Sequence, residues 1–316
     1  MNYHSKLDKK FPHGIMFHHF HDNKKHKKGQ GTISKHQLIK IIKFIGRENI
    51  LDADQFLKKF LKKKLKNTDV CFSFDDCNPS QYDVASPVLA KYKIKAFFFI
   101  ITSPFIGDYD KLELYRFFRI NYFKNIDTFY KKFYNYISDD YKIFLKNNFE
   151  KILYKKRLYP HYTIEDINFR LVRDEYLKEK KYNLVMFQMF KDFNFEPQKF
   201  SKKIFISKEQ VIKLEKKGHM IGLHSHNHPT NFISLNYDQQ FYEYKRNRNI
   251  LSKILKKPNN FFQSMSHPCG KYDQNTLNIL NKLKIKIGFI ERMNYMKTYS
   301  NFRIPRQDHS DIISMI

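Results

Sequence analysis

Short apolar runs of strand length alternate with stretches of helical periodicity at both ends of this chain, and that rhythm confines it to an α/β fold. Residues 14–20 are a short apolar run ending in histidines. Ser34 is placed to cap a helix with Leu38, Ile41, Ile42 and Ile45 on one stripe, and Asp52 to cap another whose apolar face carries Phe56, Leu57, Phe60, Leu61 and Leu65. Residues 70–74 read as a buried strand, 84–92 as a helix and 94–101 as the clearest strand. Past Lys203 the rhythm resumes with a capping box at Ser207 and Gln210, strands at 219–223, 261–265, 285–290 and 302–305, and helices at 238–255 and 273–283. Such alternation with short connections predicts a parallel sheet, open or closed into a barrel.

Between Pro104 and Lys203 the rhythm breaks. This stretch has one glycine, no clear strand, a long helical pattern over 164–190 and 26 of the 53 aromatic residues. It reads as a helical insertion at 104–203 within a body made of 1–103 and 204–316. It leaves the chain at the end of the 94–101 strand, so it is expected to emerge as a cap over the face where the strands end. Arg116 with Arg119, and Arg170 with Arg173, have the i,i+3 spacing that places two guanidinium groups on one helix face, suited to a diphosphate. Ion pairing with Glu113 or Asp174 is the plainer reading, and most of the aromatics are expected to form the insertion's own core.

Composition removes several classes. The longest apolar runs are too short to span a bilayer. The first ten residues are polar and have no apolar stretch of the secretory type, which gives a cytoplasmic expectation. Three cysteines without a CxxC argue against a disulfide framework. The formal charge is +28, yet only 11 of the 59 basic residues are arginine. Base readout favours the arginine fork, so nucleic acid is not an expected partner. A positive field that draws anionic substrates or the inner membrane surface remains an expectation.

Four polar features stand at the downstream ends of the expected strands: His18-His19, Asp75-Asp76, the His224-Ser225-His226-Asn227-His228 run, and Ser266-His267-Pro268-Cys269-Gly270. In parallel α/β folds these ends open on one face, where ligands bind. Adjacent carboxylates at a buried strand end repel and lose hydration, so a cation is expected to compensate them. His224 and His228 lie four apart, as a metal-binding pair would on a helical turn, but Pro229 favours an irregular turn equally. His226 alternates with both and replaces one of them if the chain is extended. Two imidazoles and a carboxylate, with positions left open, make a hydrolytic zinc site. Cys77 and Cys269 are soft donors beside these features, although small buried filler is the commoner role of such cysteines.

Ser73-Phe74-Asp75-Asp76 followed by His224-Ser225-x-x-His228 resembles the polysaccharide deacetylase family, the NodB-like members of carbohydrate esterase family 4. The resemblance covers about residues 13–103 and 204–309. It implies a distorted (β/α)7 barrel, a metal held by Asp76, His224 and His228, and Asp75 as general base. The family's R-x-P-Y-G motif stands here as Ser266-His267-Pro268-Cys269-Gly270, which keeps the Pro-x-Gly turn and the Cys269 N–H for the oxyanion, with Pro268 and His267 as neighbouring substrate contacts. Its arginine is absent, and Arg306 in Arg303-Ile304-Pro305-Arg306 is the expected substitute for steadying the base. A permuted subgroup carries its acid histidine on the first strand, where Met16-Phe17-His18 matches, so His18 is the expected general acid and His19 the alternative.

The expected activity is therefore removal of an N-acyl group, in first place acetyl, from an amino sugar in a nucleotide- or lipid-linked glycan precursor, with one divalent ion, Zn2+ in first place. A sugar deformylase or other amide hydrolase on the same scaffold, or an inactive lysine-rich binder of nucleic acid or anionic glycan, are the alternatives.

Overall fold

The computed structural model describes residues 2–22, 24–76, 78–158, 162–293 and 300–316. Cys77 lies outside them. The apolar runs become strands β1 (His13–Phe17), β2 (Phe20–His21), β3 (Ile33–Ser34), β4 (Ile50–Leu51), β5 (Val70–Phe74), β6 (Phe97–Ile100), β7 (Met220–Leu223), β8 (Ser264–Ser266), β9 (Ile287–Phe289) and β10 (Arg306–Asp308). Seven of them run parallel in the order β10-β1-β5-β6-β7-β8-β9, with β4 paired beside β5. The two ends of this path nearly meet. Phe289 bridges to Ile304, and the Ile290 and Ile304 N–H groups donate across the gap at 2.9 Å each. The result is a nearly closed, seven-stranded parallel barrel ringed by helices.

The last strand falls later than the expected 302–305. Pro305 has no N–H to give to a ladder. Its carbonyl accepts from Gly14, and regular pairing with β1 begins only at Arg306.

These strands are buried on both sides, which is why they read as unbroken apolar runs. Phe97 and Phe99, two apart on β6, share a core with Cys71, Ile287, Phe289 and the Phe56 and Leu57 of helix Ala53–Leu61. Phe98, between them, points the other way and stacks on Phe74 with ring centres 4.6 Å apart. The Ser34 and Ser207 capping boxes are both formed. The helix expected at 84–92 begins as a wider turn, Gln81–Ala85, before Ser86–Lys91. The Gln81 amide donates to the His18 and Asp75 carbonyls, tying the ends of β1 and β5 together.

The chain divides into two compact units, Met1–Asp110 with Ser201–Ile316, and Lys111–Phe200. The second is helical, and its aromatics pack on one another. Phe118, Phe190 and Phe195 meet at 4.5–5.3 Å, and Phe133 lies 5.1 Å from Phe169. The continuous helix expected over 164–190 is interrupted: Ile164–Leu171 and Lys178–Asp192 are separated by a wider turn at Val172–Leu177. Among the described residues no helix is long and apolar enough to cross a membrane.

Several core histidines make the fold sensitive to acid. Burial pushes His13 and His219 down to about 4 and His267 to about 3. An unfolded imidazole titrates near 6.5, so between these values the unfolded chain binds more protons than the folded one. The stability that these three rings contribute is complete above about pH 6.5 and is lost as pH falls through that value toward 4. Thermal melts followed by circular dichroism should show Tm falling steeply from pH 6.5 to 4.5. A flat Tm over that window would contradict the buried neutral state of these rings.

Candidate active site

Strand register brings the polar features level. Phe17 pairs with Phe74, so His18 and Asp75 leave adjacent strands together, and the Asp75 N–H donates to the Phe17 carbonyl at 3.1 Å. Leu223 pairs with Met265, which sets His224 beside Ser266. Asp76, His224 and His228 form a buried group in which one ligand atom from each lies within 4.8 Å of the others. His224 Nε2 is 3.1 Å and His228 Nε2 3.4 Å from Asp76 Oδ1. The two rings meet through an irregular turn with Ser225 and His228 in the left-handed region (φ 62° and 52°), not across a helix face.

The donor set fits a divalent ion. A carbonyl only accepts, so His224 Nδ1, 2.9 Å from the Ser266 carbonyl, carries the proton. The Nε2 lone pair is then turned on the Asp76 carboxylate, an arrangement that a cation between them makes favourable. A ring nitrogen anchored to a backbone carbonyl is also the usual support of a metal-ligating histidine. Behind His228, Asp110 lies 3.7 Å from Nδ1. Burial lowers the tendency of His228 to hold a proton, but the Cys269 sulfur, Asp76 and Asp110 outweigh it and raise its pKa well above the ordinary value. Asp76 is held well below the carboxylate range: burial opposes this, and His228, His224 and His18 overcome it.

Asp75 is 2% exposed and is gripped from below by Arg306, itself 1% exposed. The guanidinium donates to Oδ1 and Oδ2 at 2.8 Å each, and Ser266 Oγ donates to Oδ2 at 2.9 Å. Arg306 also donates to the Ile290 carbonyl and to Ser73 Oγ. Burial alone would raise the Asp75 pKa, yet the Arg306 charge, with His224, brings it below its ordinary value. Room for Arg306 comes from Gly14, where a Cβ would lie 2.8 Å from the arginine Cγ. Arg306, the expected substitute for the missing arginine, thus meets Asp75 directly, and Ser266 adds a further hydrogen bond.

His18 stands on the other side of Asp76, with Nε2 3.7 Å from Oδ2 and Nδ1 3.9 Å from Asp308. The His19 carbonyl instead accepts from Ile33, joining β2 to β3. Asp308 and Asp110 were not singled out in the sequence. Asp308 had a signal: it follows Arg306 by two on β10, the period that returns a side chain to the same face.

Cys269 has a left-handed backbone (φ 48°) in the turn Pro268–Gly270. Its N–H meets no acceptor among the described residues, and its sulfur lies against His228. His267, expected among the substrate contacts, is instead 1% exposed. It faces the Phe302 carbonyl at 2.8 Å and stacks on Tyr272, so it packs the turn. His226 is not part of the ligand group. The Arg246 Nε–H donates to its Nε2 at 3.0 Å, which leaves Nδ1–H to donate to Thr102 Oγ1 at 2.8 Å. Its N–H and that of Asn227 donate to Glu243, so the ring and backbone together pin the loop between the two ligand-type histidines.

Arg119, Arg170 and Arg173 are engaged within their own unit. Arg119 lies over Phe169 and Phe129 at 5.5 and 5.8 Å, and Arg170 over Tyr162 at 4.2 Å. Arg173 forms two hydrogen bonds with Asp174 at 2.5 and 2.8 Å, the ion-pair reading. Arg116 is on helix Lys111–Tyr122 with Arg119, whereas Arg170 and Arg173 straddle the junction with the wider turn.

The family model for polysaccharide deacetylase matches residues 62–119 and 174–288, more than half of the chain. The chain belongs to the polysaccharide deacetylase family. As a member of that family it is a carbohydrate-active hydrolase. The match extends into both ends of the insertion, further than the resemblance drawn from the motifs, and leaves out β1 and β10 with His18 and Arg306. Similar solved structures include the Streptococcus pyogenes deacetylase PplD in complex with acetate (TM-score 0.57, 14% identity, covering 96% of this chain and 97% of that one). IcaB from Ammonifex degensii gives 0.55 at 12% identity, covering 96% of each. A de-N-acetylase from Aggregatibacter actinomycetemcomitans gives 0.56 at 14%, covering 96% and 99%. At these identities the likeness is one of fold. Among curated proteins, no sequence match is found.

Proposed function

We propose that this deacetylase removes an N-acetyl group from an amino sugar of a glycan or of its nucleotide- or lipid-linked precursor, using one divalent ion, zinc by preference, held by Asp76, His224 and His228. The observation that carries this reading is the convergence of that ligand group with the Arg306-braced Asp75 at one end of the barrel. When bound, such an ion polarises an acyl carbonyl and lowers the pKa of a coordinated water. Asp75, kept ionised by Arg306, takes the proton of the attacking water. The Cys269 N–H donates to the acyl oxygen as negative charge develops on it. His18, oriented by Asp308, delivers a proton to the departing nitrogen as the C–N bond breaks, leaving acetate and a free amine.

Asp75→Asn should retain the metal and lose about 100-fold or more in turnover, the usual scale for loss of a general base. His18→Ala should lose a similar factor and flatten the alkaline limb of the kcat/KM profile. Both are read by mass-spectrometric detection of acetyl loss from N-acetylated sugar substrates, alongside metal analysis. An active Asp75→Asn enzyme would remove the proposed base, and a fully active His18→Ala with an inactive His19→Ala would move the acid by one residue.

A further inference from the structure

One face of helix Tyr237–Leu255 borders a cavity of about 560 Å3 that the proposed chemistry does not use. That volume is in the range of small-molecule sites. Its apolar wall is aliphatic and aromatic: Phe105, Ile106, Ile250 and Ile254. Ile106 and Tyr242, which both line the cavity, are each 51% exposed. Four cations, Lys208, Lys245, Arg246 and Lys253, line the same cavity, and no carboxylate does among the described residues. No ion pair joins Lys245 or Lys253 to a carboxylate among those residues, and Glu209, the acidic neighbour of Lys208, does not line the cavity. Four like charges around one apolar wall repel one another, and a bound anion relieves that repulsion.

A residue that lines the cavity also holds the loop of the ligand group. Arg246 lines it and donates to His226, which sits between His224 and His228. The Thr102 and Ser103 N–H groups donate to the His226 carbonyl, and the chain reaches the cavity wall two residues later at Phe105. The cations suit a phosphate. The branched aliphatic wall suits an alkyl chain better than a nucleobase, for which Asn249 alone offers an amide to read an edge.

We propose that this cavity holds the alkyl phosphate end of a lipid-linked amino sugar. The sugar part of the assignment rests on the N-deacetylase reading above; the binding of an anionic amphiphile does not. The test is calorimetric titration of the full chain with three probes: dodecyl phosphate below its micelle concentration, the neutral dodecyl maltoside, and uridine diphosphate. Dodecyl phosphate should bind at least about tenfold more tightly than either of the others, and Lys245→Glu/Lys253→Glu should weaken it by about tenfold or more, equivalent to about 1.4 kcal/mol. Circular dichroism checks that this exposed double variant is folded. His224→Ala should bind dodecyl phosphate as the parent does, so loss of deacetylation with retained binding supports the cavity independently of the chemistry. Equal or tighter binding of uridine diphosphate or dodecyl maltoside, or indifference to the charge reversal, would overturn the proposal.

Discussion

His224→Ala should purify without its metal and with turnover reduced by more than about 100-fold, since removing a ligand costs at least what loss of a supporting contact costs. His224 Nε2 and His228 Nε2 converge on Asp76 Oδ1 at 3.1 and 3.4 Å, and the proton on His224 is committed to the Ser266 carbonyl, so the His224 Nε2 lone pair faces the Asp76 carboxylate. Without an ion the pair repels; without His224 the ion keeps two protein ligands of three. Metal content by inductively coupled plasma mass spectrometry and turnover should fall together, and added zinc should not restore the variant at concentrations that saturate the parent. His226→Ala should keep its metal, because that ring faces Arg246 and Thr102. Full occupancy in a His224→Ala/His228→Ala protein would sink the ligand assignment. The raised pKa of His228 adds a pH dependence. A ligating imidazole must lose its proton, so occupancy in the parent should rise with pH across the neutral range.

Arg306→Leu should cost about 3–5 kcal/mol of stability, the scale for stranding one partner of a buried ion pair. The guanidinium is 1% exposed and the carboxylate 2%, so no water takes over when the arginine is cut back. Urea unfolding measures this directly, and a loss below about 1 kcal/mol would mean that Asp75 is solvated or protonated in the folded protein. Arg306→Lys separates fold from chemistry. A lysine preserves the charge but not the two-pronged grip, so the Asp75 pKa should rise toward its ordinary value. A base works only when ionised, so the acid limb of kcat/KM should move to higher pH, with metal content unchanged.

Much of this site could be read along the chain because strands that are buried on both sides advertise their ends. Phe74 gives way to Asp75-Asp76 and Leu223 to His224 in a single step, from residues that must be dry to residues that cannot be dry without partners. The same contrast placed Ser266 and Cys269. Capping boxes at Ser34 and Ser207 are equally local, satisfied within four residues, and they appear where their spacing puts them. The wider turns at Gln81–Ala85 and Val172–Leu177 carry no such signature.

What the sequence by itself determined is the parallel α/β body, the aromatic helical insertion and the residue types gathered at the strand ends, because apolar periodicity and abrupt polarity changes are local properties. Only the tertiary structure decided how those residues divide the work. Arg306 meets Asp75 across 231 positions because the near-closed barrel sets β10 and β5 on either side of β1 and because Gly14 leaves the space between them. The same closure brings Asp308 behind His18. His224 and His228 face Asp76, and His226 anchors the loop, through two left-handed residues and the hydrogen bonds of Arg246, Thr102 and Glu243. Spacing along a His-x-His-x-His run cannot distinguish these three rings. The geometry of the turn does, since it points two of them at Asp76 and the third at an arginine.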